Sequence, residues 1–162
     1  MHILAVLLFL GVIVSLAAAT IRARQSLDPD VKWRRWETQP WYGTERFARW
    51  LRERPDAVKE YATLIAPHDY VLVLCFGGAT AFASLASARA LQWPFLTMLV
   101  VLVLPGLYMA ADWGENALLT RLFTGAVPPT TGRLLKLRAL TVAKLLMALA
   151  SLLQTYVLYK LI

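Results

Sequence analysis

Four apolar stretches, each long enough to cross a lipid bilayer as a helix, constrain this chain more than any other feature. A spanning helix needs about 20 mostly apolar residues, because each residue adds about 1.5 Å and the hydrocarbon core is about 30 Å thick. Hydrophobic residues make up 59% of the chain and charged residues only 17%, whereas soluble domains carry about 25% charged residues. The sequence therefore predicts an all-α integral membrane four-helix bundle, forming a single transmembrane domain over residues 1–162. The predicted spans cover about 3–21, 70–88, 94–120 and 134–161.

The first span has an alternative interpretation as a secretory signal peptide. The stretch "SLAAAT" at 15–20 offers small residues for cleavage. However, no basic residue precedes the apolar run, whereas a signal peptide requires a positively charged start. We therefore interpret 3–21 as an uncleaved span.

The basic residues predict the orientation of the spans. The segment 22–68 carries ten Lys and Arg residues, whereas the second loop carries only Arg89. The third loop is basic again, with Arg133, Lys136 and Arg138. Because Lys and Arg collect in cytoplasmic loops, loops 22–68 and 121–138 are predicted to be cytoplasmic and both termini to lie outside. Contact of these loops with anionic lipids accounts for the net charge of +7. No nucleic-acid partner is expected, because no nucleic-acid-binding module accompanies the charge.

The long first loop predicts amphipathic helices. Thr44 can cap a helix that places Phe47, Trp50 and Leu51 on one face, and a second helix can run from Pro55 until Pro67 ends it. The loop is either a platform that docks a protein partner or a connector that anchors the spans in membrane lipids. Aromatic rings beside basic residues favour the head-group level of a membrane. The predicted interfacial anchors are Trp33, Trp36, Trp41 and Trp50.

Polar residues near the end of the third span predict an ion pair. Asp112, Glu115 and Asn116 share one helical face, and Pro105-Gly106 predicts a kink before them. If the third and fourth spans form a hairpin that turns near 128–129, Glu115 and Lys144 are almost equally far from the turn. We therefore predict that Glu115 and Lys144 pair across the two helices, since an unpaired charge inside a membrane is costly.

Asp69, at the start of the second span, has two interpretations. It can cap the helix, because its carboxylate can accept hydrogen bonds from exposed backbone amides. Alternatively, it joins the polar residues of the third and fourth spans, since hairpin geometry places it level with Trp113. In the second interpretation the intramembrane polar cluster consists of Asp69, Asp112, Glu115, Asn116 and Lys144, with His68 beside it.

The sequence predicts no cofactor. Cys75 is the only cysteine, so no internal disulfide or CxxC motif exists, and the two histidines lie far apart in sequence. We interpret Cys75 as a small packing residue. The identity of any metal stays open, because the carboxylates of the predicted cluster would suit Mg²⁺ or Mn²⁺.

The residues Asp112, Glu115 and Asn116 form a D-x-x-E-N motif within "DWGEN". With it, the chain resembles small uncharacterised bacterial membrane proteins of four spans. This resemblance covers one span and implies a bacterial inner-membrane location. It implies no catalytic role for any residue.

Three functions are compatible with these features. The first is a non-catalytic accessory, assembly or stabilising subunit of a larger membrane complex, with lipids and a protein partner or second copy as its contacts. The second is a small transporter or lipid-handling protein whose polar site includes Asp112, Glu115, Asn116 and Lys144. The third is a membrane enzyme in which Asp69, Asp112 and Glu115 bind a metal or act as acid and base. The absence of a recognisable enzymatic motif favours the first.

Overall fold

The computed structural model describes residues 2–26, 44–53 and 55–162, and every element in these ranges is a helix. The all-α prediction is therefore confirmed for the described part of the chain. Trp33, Trp36 and Trp41, predicted as interfacial anchors, lie outside the described residues. The helices are α1 (His2–Ser26), α2 (Thr44–Glu53), α3 (Pro55–Ala90), α4 (Phe95–Val100), α5 (Val103–Phe123) and α6 (Thr131–Lys160).

Three helical segments are long and apolar enough to cross a membrane: Pro67–Ala90, Phe95–Phe123 and Thr131–Lys160. They correspond to the predicted second, third and fourth spans. The apolar part found in α1 is shorter, Val6–Ala18. The structure thus confirms a helical protein with several apolar helices, and the four-helix bundle remains a prediction.

The long helix α3 runs without interruption through Pro67, so the prediction that Pro67 ends the loop helix is wrong. Proline removes one backbone hydrogen bond from a helix interior, but packing on both sides can hold the helix together. Val58 before the proline is 2% exposed, and Val73 after it is fully buried. Asp69 consequently lies inside a helix rather than at its start, and the interpretation of Asp69 as a helix cap is also wrong.

Helix α3 is the common packing partner of the other long helices. It packs against α1, α5 and α6, whereas α1 packs principally against α3. Two neighbouring glycines of α3 serve different contacts: Gly77 lies against Met109 of α5, and Gly78 lies against Leu8 of α1. On the α1 side, Gly11 lies directly against the Cys75 thiol. Absent side chains at these positions let the helices approach closely.

The third span is interrupted one helical turn before the predicted Pro105-Gly106 kink, between α4 and α5 at Val101 and Leu102. Pro105 has no N–H to donate to the carbonyl four residues earlier, which is that of Val101. Instead, Nε2 of Gln154 on α6 donates to this carbonyl at 2.7 Å. A side chain from a neighbouring helix therefore supplies the hydrogen bond that Pro105 cannot donate to this carbonyl.

We expect Gln154→Leu to lower the free energy of unfolding by about 0.6–1.7 kcal/mol, the range measured for interhelical hydrogen bonds in membranes. The substitution leaves the Val101 carbonyl without its donor. Thermal unfolding in detergent would measure the change, with Leu153→Met on the exposed face of the same helix as the control. Unchanged stability of Gln154→Leu would contradict this role.

The amphipathic helix predicted from Thr44 is present as α2, and its apolar face packs against residues of α3, α5 and α6. Phe47 is fully buried, and Trp50 packs against it with ring centroids 6.1 Å apart. Trp50, predicted as an interfacial anchor, also meets Phe123 of α5 edge-on at 6.3 Å. We call the buried cluster around these rings the apolar seal. Its members are Phe47, Ala48, Val58, Leu119, Leu122, Phe123, Leu134 and Leu137.

Candidate functional site

The centre of the site is an ion cluster, which we define as Asp112, Glu115 and Lys144. Nζ of Lys144 lies 3.0 Å from Oδ1 of Asp112 and forms a second salt bridge with Oε2 of Glu115. The three residues are 7% exposed or less. The predicted pairing of Glu115 with Lys144 is present, and Asp112 shares the same ammonium group.

The second oxygen of each carboxylate in the ion cluster accepts a hydrogen bond from a hydroxyl group. Tyr108 donates to Oδ2 of Asp112 at 3.3 Å, and Thr141 donates to Oε1 of Glu115. Phe76 meets the Tyr108 ring edge-on at 4.9 Å and so supports its position. All four carboxylate oxygens therefore have a partner within the protein, which offsets much of the cost of burying charge.

Sequence reasoning missed Thr141. It lies three residues before Lys144 on α6, so helical periodicity places both side chains on one face. That spacing was the available signal. The hydroxyl of a threonine in a helix usually donates a hydrogen bond to a backbone carbonyl of the same helix. Nothing in the local sequence indicates that the Thr141 hydroxyl donates to Glu115.

Asp69 and Asn116 lie at the edge of the ion cluster. The half-buried Asp69 carboxylate has Asp112 and Lys144 as its charged neighbours and the Asn116 amide beside it. Asn116 is only 6% exposed, yet its Nδ2 makes no hydrogen bond in the described part of the chain. The neighbouring His68 has a buried Nε2 that likewise has no hydrogen-bond partner among the described residues. This edge is polar but incompletely hydrogen-bonded.

Formal charge around the site is unbalanced. Three carboxylates, those of Asp69, Asp112 and Glu115, surround the single ammonium group of Lys144. The single positive charge of Lys144 compensates only part of the negative charge of the two carboxylates that it contacts. The half-buried Asp69 carboxylate adds a further negative charge. The arrangement can hold helices together through buried ion pairs, and its Asp69 edge can attract a positively charged group.

A second polar layer lies farther along α3 and α6. The Ser84 and Thr155 hydroxyl groups are hydrogen-bonded at 2.9 Å, and Gln154 donates to Ser84 at 3.3 Å. Thr80 and Ser151 are fully buried beside this layer. Thr80 and Ser84 are four residues apart on α3, as are Ser151 and Thr155 on α6, so each pair shares one helical face. These are the faces on which α3 and α6 meet.

Within residues 2–26, 44–53 and 55–162, no three His, Cys, Asp or Glu side chains converge in a way that could hold a metal ion. Asp112 and Glu115 both direct oxygens at Lys144. A cation already occupies the position where a metal would have to bind.

Comparison of the chain with protein-family models, curated proteins and solved structures found no match.

Proposed function

We propose that the chain is a non-catalytic integral membrane protein that acts as an accessory, assembly or stabilising subunit of a larger membrane complex. The observation that carries this proposal is the closed ion cluster. Both oxygens of Asp112 and of Glu115 are engaged by Lys144, Tyr108 or Thr141. Charges arranged in this way join α5 to α6 and are engaged with one another, which suits a structural role.

The outward surface of α6 supports an assembly role. Beyond the ion cluster, this helix exposes a continuous series of large apolar side chains. Inside a membrane, such a face contacts lipid tails or a helix of another subunit with similar free energy, so close packing selects the partner. The exposed residues are Leu145, Leu146, Leu149, Leu152, Leu153 and Tyr156.

In the proposed membrane orientation, α1 is a fourth span that packs on α3. Arg121, Arg133, Lys136 and Arg138 support a cytoplasmic position for the turn between α5 and α6. Both termini would then lie outside the inner membrane of a bacterium. A reporter fused to the C terminus should be inactive if it requires the cytoplasm, and an active cytoplasmic reporter would overturn this orientation.

Extraction from native membranes with a mild detergent tests the proposed function. We expect the protein to migrate with a larger complex on native separation and to release partner subunits only in harsher detergent. A tagged membrane protein of similar size, expressed at the same level, controls for non-specific association. A homogeneous particle that contains this chain alone would overturn the proposal.

A second candidate function, lipid handling or transport, is favoured by the polar edge at Asp69. This carboxylate is half-buried, and the Asn116 Nδ2 beside it makes no hydrogen bond to any described residue. Such an edge could receive a polar or cationic lipid head group. Mass spectrometry of the purified protein should then show bound lipid that Asp69→Asn removes without changing the thermal midpoint. Lower stability with unchanged bound lipid would assign Asp69 a structural role.

A further inference from the structure

The apolar seal separates the ion cluster from one end of the bundle. Leu119 lies one helical turn beyond Glu115 on α5, and Leu137 lies one turn before Thr141 on α6. Both leucines are 5% exposed or less. A water molecule that approaches along the α5–α6 interface from the α2 end must therefore pass the seal before it reaches Glu115.

Helix α2 completes this seal from outside the hairpin. Phe47 is the largest fully buried side chain in the described part of the chain, and its ring lies 6.4 Å from that of Phe123. Ala48 beside it is 8% exposed. Trp50 covers the outer edge of both rings. The innermost contact of α2 is consequently a single phenylalanine set among leucines of α5 and α6.

Apart from its buried face, α2 has properties that favour its detachment from the apolar seal. The helix has 10 residues, and isolated helices shorter than about 12–15 residues are marginally stable in water. Its other face is exposed and charged, with Glu45, Arg49, Arg52 and Glu53. Docking of one apolar face therefore supplies most of its stability, and such elements open at lower free energy than the whole fold unfolds.

We infer that α2 is a lid that closes the ion cluster from solvent at its end of the bundle, with Phe47 as the residue that holds it shut. When the lid opens, water and small solutes gain access to Glu115 and Asp112. This inference goes beyond the proposed function, because a purely structural ion cluster does not require a movable cover.

Carboxylate labelling tests the lid directly. The protein in lipid nanodiscs is treated with a water-soluble carbodiimide and an amine, and the modification of Glu115 is measured by peptide mass spectrometry. We expect Phe47→Ala to increase the rate of Glu115 labelling at least about tenfold, which corresponds to about 1.4 kcal/mol of lost docking free energy. Glu53, which is exposed on α2, provides the reference rate within each sample.

Two further variants control the comparison. Arg49→Ala changes the exposed face of α2 and should leave Glu115 labelling at the wild-type rate. Trp50→Ala removes only the outer ring and should give an intermediate increase. If Phe47→Ala does not yield folded, monodisperse protein, Trp50→Ala decides the outcome.

A membrane-permeant carbodiimide separates access from intrinsic reactivity. It should label Glu115 at similar rates in wild type and Phe47→Ala, since it does not depend on the aqueous route. Three results would overturn the lid: wild-type Glu115 labelling as fast as Glu53, unchanged labelling in both Phe47→Ala and Trp50→Ala, or an equal increase with both reagents. The first two would show that α2 covers nothing, and the third that Phe47 acts through the ion cluster itself.

Discussion

Replacement of Lys144 by methionine is expected to lower the free energy of unfolding by about 3–5 kcal/mol, the range found when one partner of a buried ion pair is removed. Methionine keeps the length of the side chain, so the effect comes mainly from charge. Asp112 and Glu115 would remain buried at 2% and 1% exposure without the ammonium group that both contact. Titration with a denaturing detergent, followed by circular dichroism, would measure the loss.

A combined variant distinguishes charge from packing. Lys144→Met together with Asp112→Asn and Glu115→Gln removes every charge of the ion cluster and nearly preserves its volume. Because no uncompensated charge stays buried in this variant, and Asn and Gln can still accept hydrogen bonds from Tyr108 and Thr141, we expect it to recover most of the lost stability. A triple variant as unstable as Lys144→Met would show that packing of the lysine chain, rather than the uncompensated charge, is what matters.

Gly77→Ala is expected to destabilise the contact between α3 and α5 by about 1–3 kcal/mol, the usual cost of overpacking a well-packed core. A Cβ at Gly77 would lie 2.5 Å from Cγ and 2.7 Å from Sδ of Met109. Both distances are shorter than any real contact of this kind, so Met109 or the helices must move. Thermal unfolding in detergent would measure the change.

Gly106 provides a matched control on α5. A Cβ at Gly106 would meet no atom within 4 Å, so Gly106→Ala has only the higher helix propensity of alanine to act on. We expect it to be neutral or slightly stabilising. If Gly77→Ala and Gly106→Ala behave alike, the close approach of α3 and α5 at Gly77 is not important for stability. Met109→Ala combined with Gly77→Ala should remove the overlap and part of its cost.

Local sequence predicted the features that depend on periodicity and length. Apolar length indicated the second, third and fourth spans, all found as helices long enough to cross a membrane. The helical face of Phe47, Trp50 and Leu51 predicted α2. Equal distances from the turn near 128–129 predicted that Glu115 meets Lys144. This tertiary contact could be predicted because a short turn determines which residues of the two joined helices lie at the same depth in the membrane.

Other predictions failed or fell short where a local signal competed with packing. Pro67 was expected to end a helix, yet α3 continues through it, with buried side chains before and after the proline. The ring of Trp50 packs on Phe47 and Phe123, and its position at a membrane surface, indicated by the aromatic residues of the first loop, stays a prediction. An apolar face shows that a helix must be covered but does not specify by what.

Composition and periodicity are sufficient to predict that this chain is helical, that several of its helices are long and apolar enough for a membrane, and which residues share each helical face. Those properties follow from composition and from the 3.6-residue period of a helix. Tertiary packing was needed to show that Thr141 donates to the ion cluster, that Gln154 binds the Val101 carbonyl released by Pro105, and that Phe47 of α2 packs against α5 and α6. Each of these contacts joins residues whose local sequences carry no information about one another, so the packing of whole helices selects the partner.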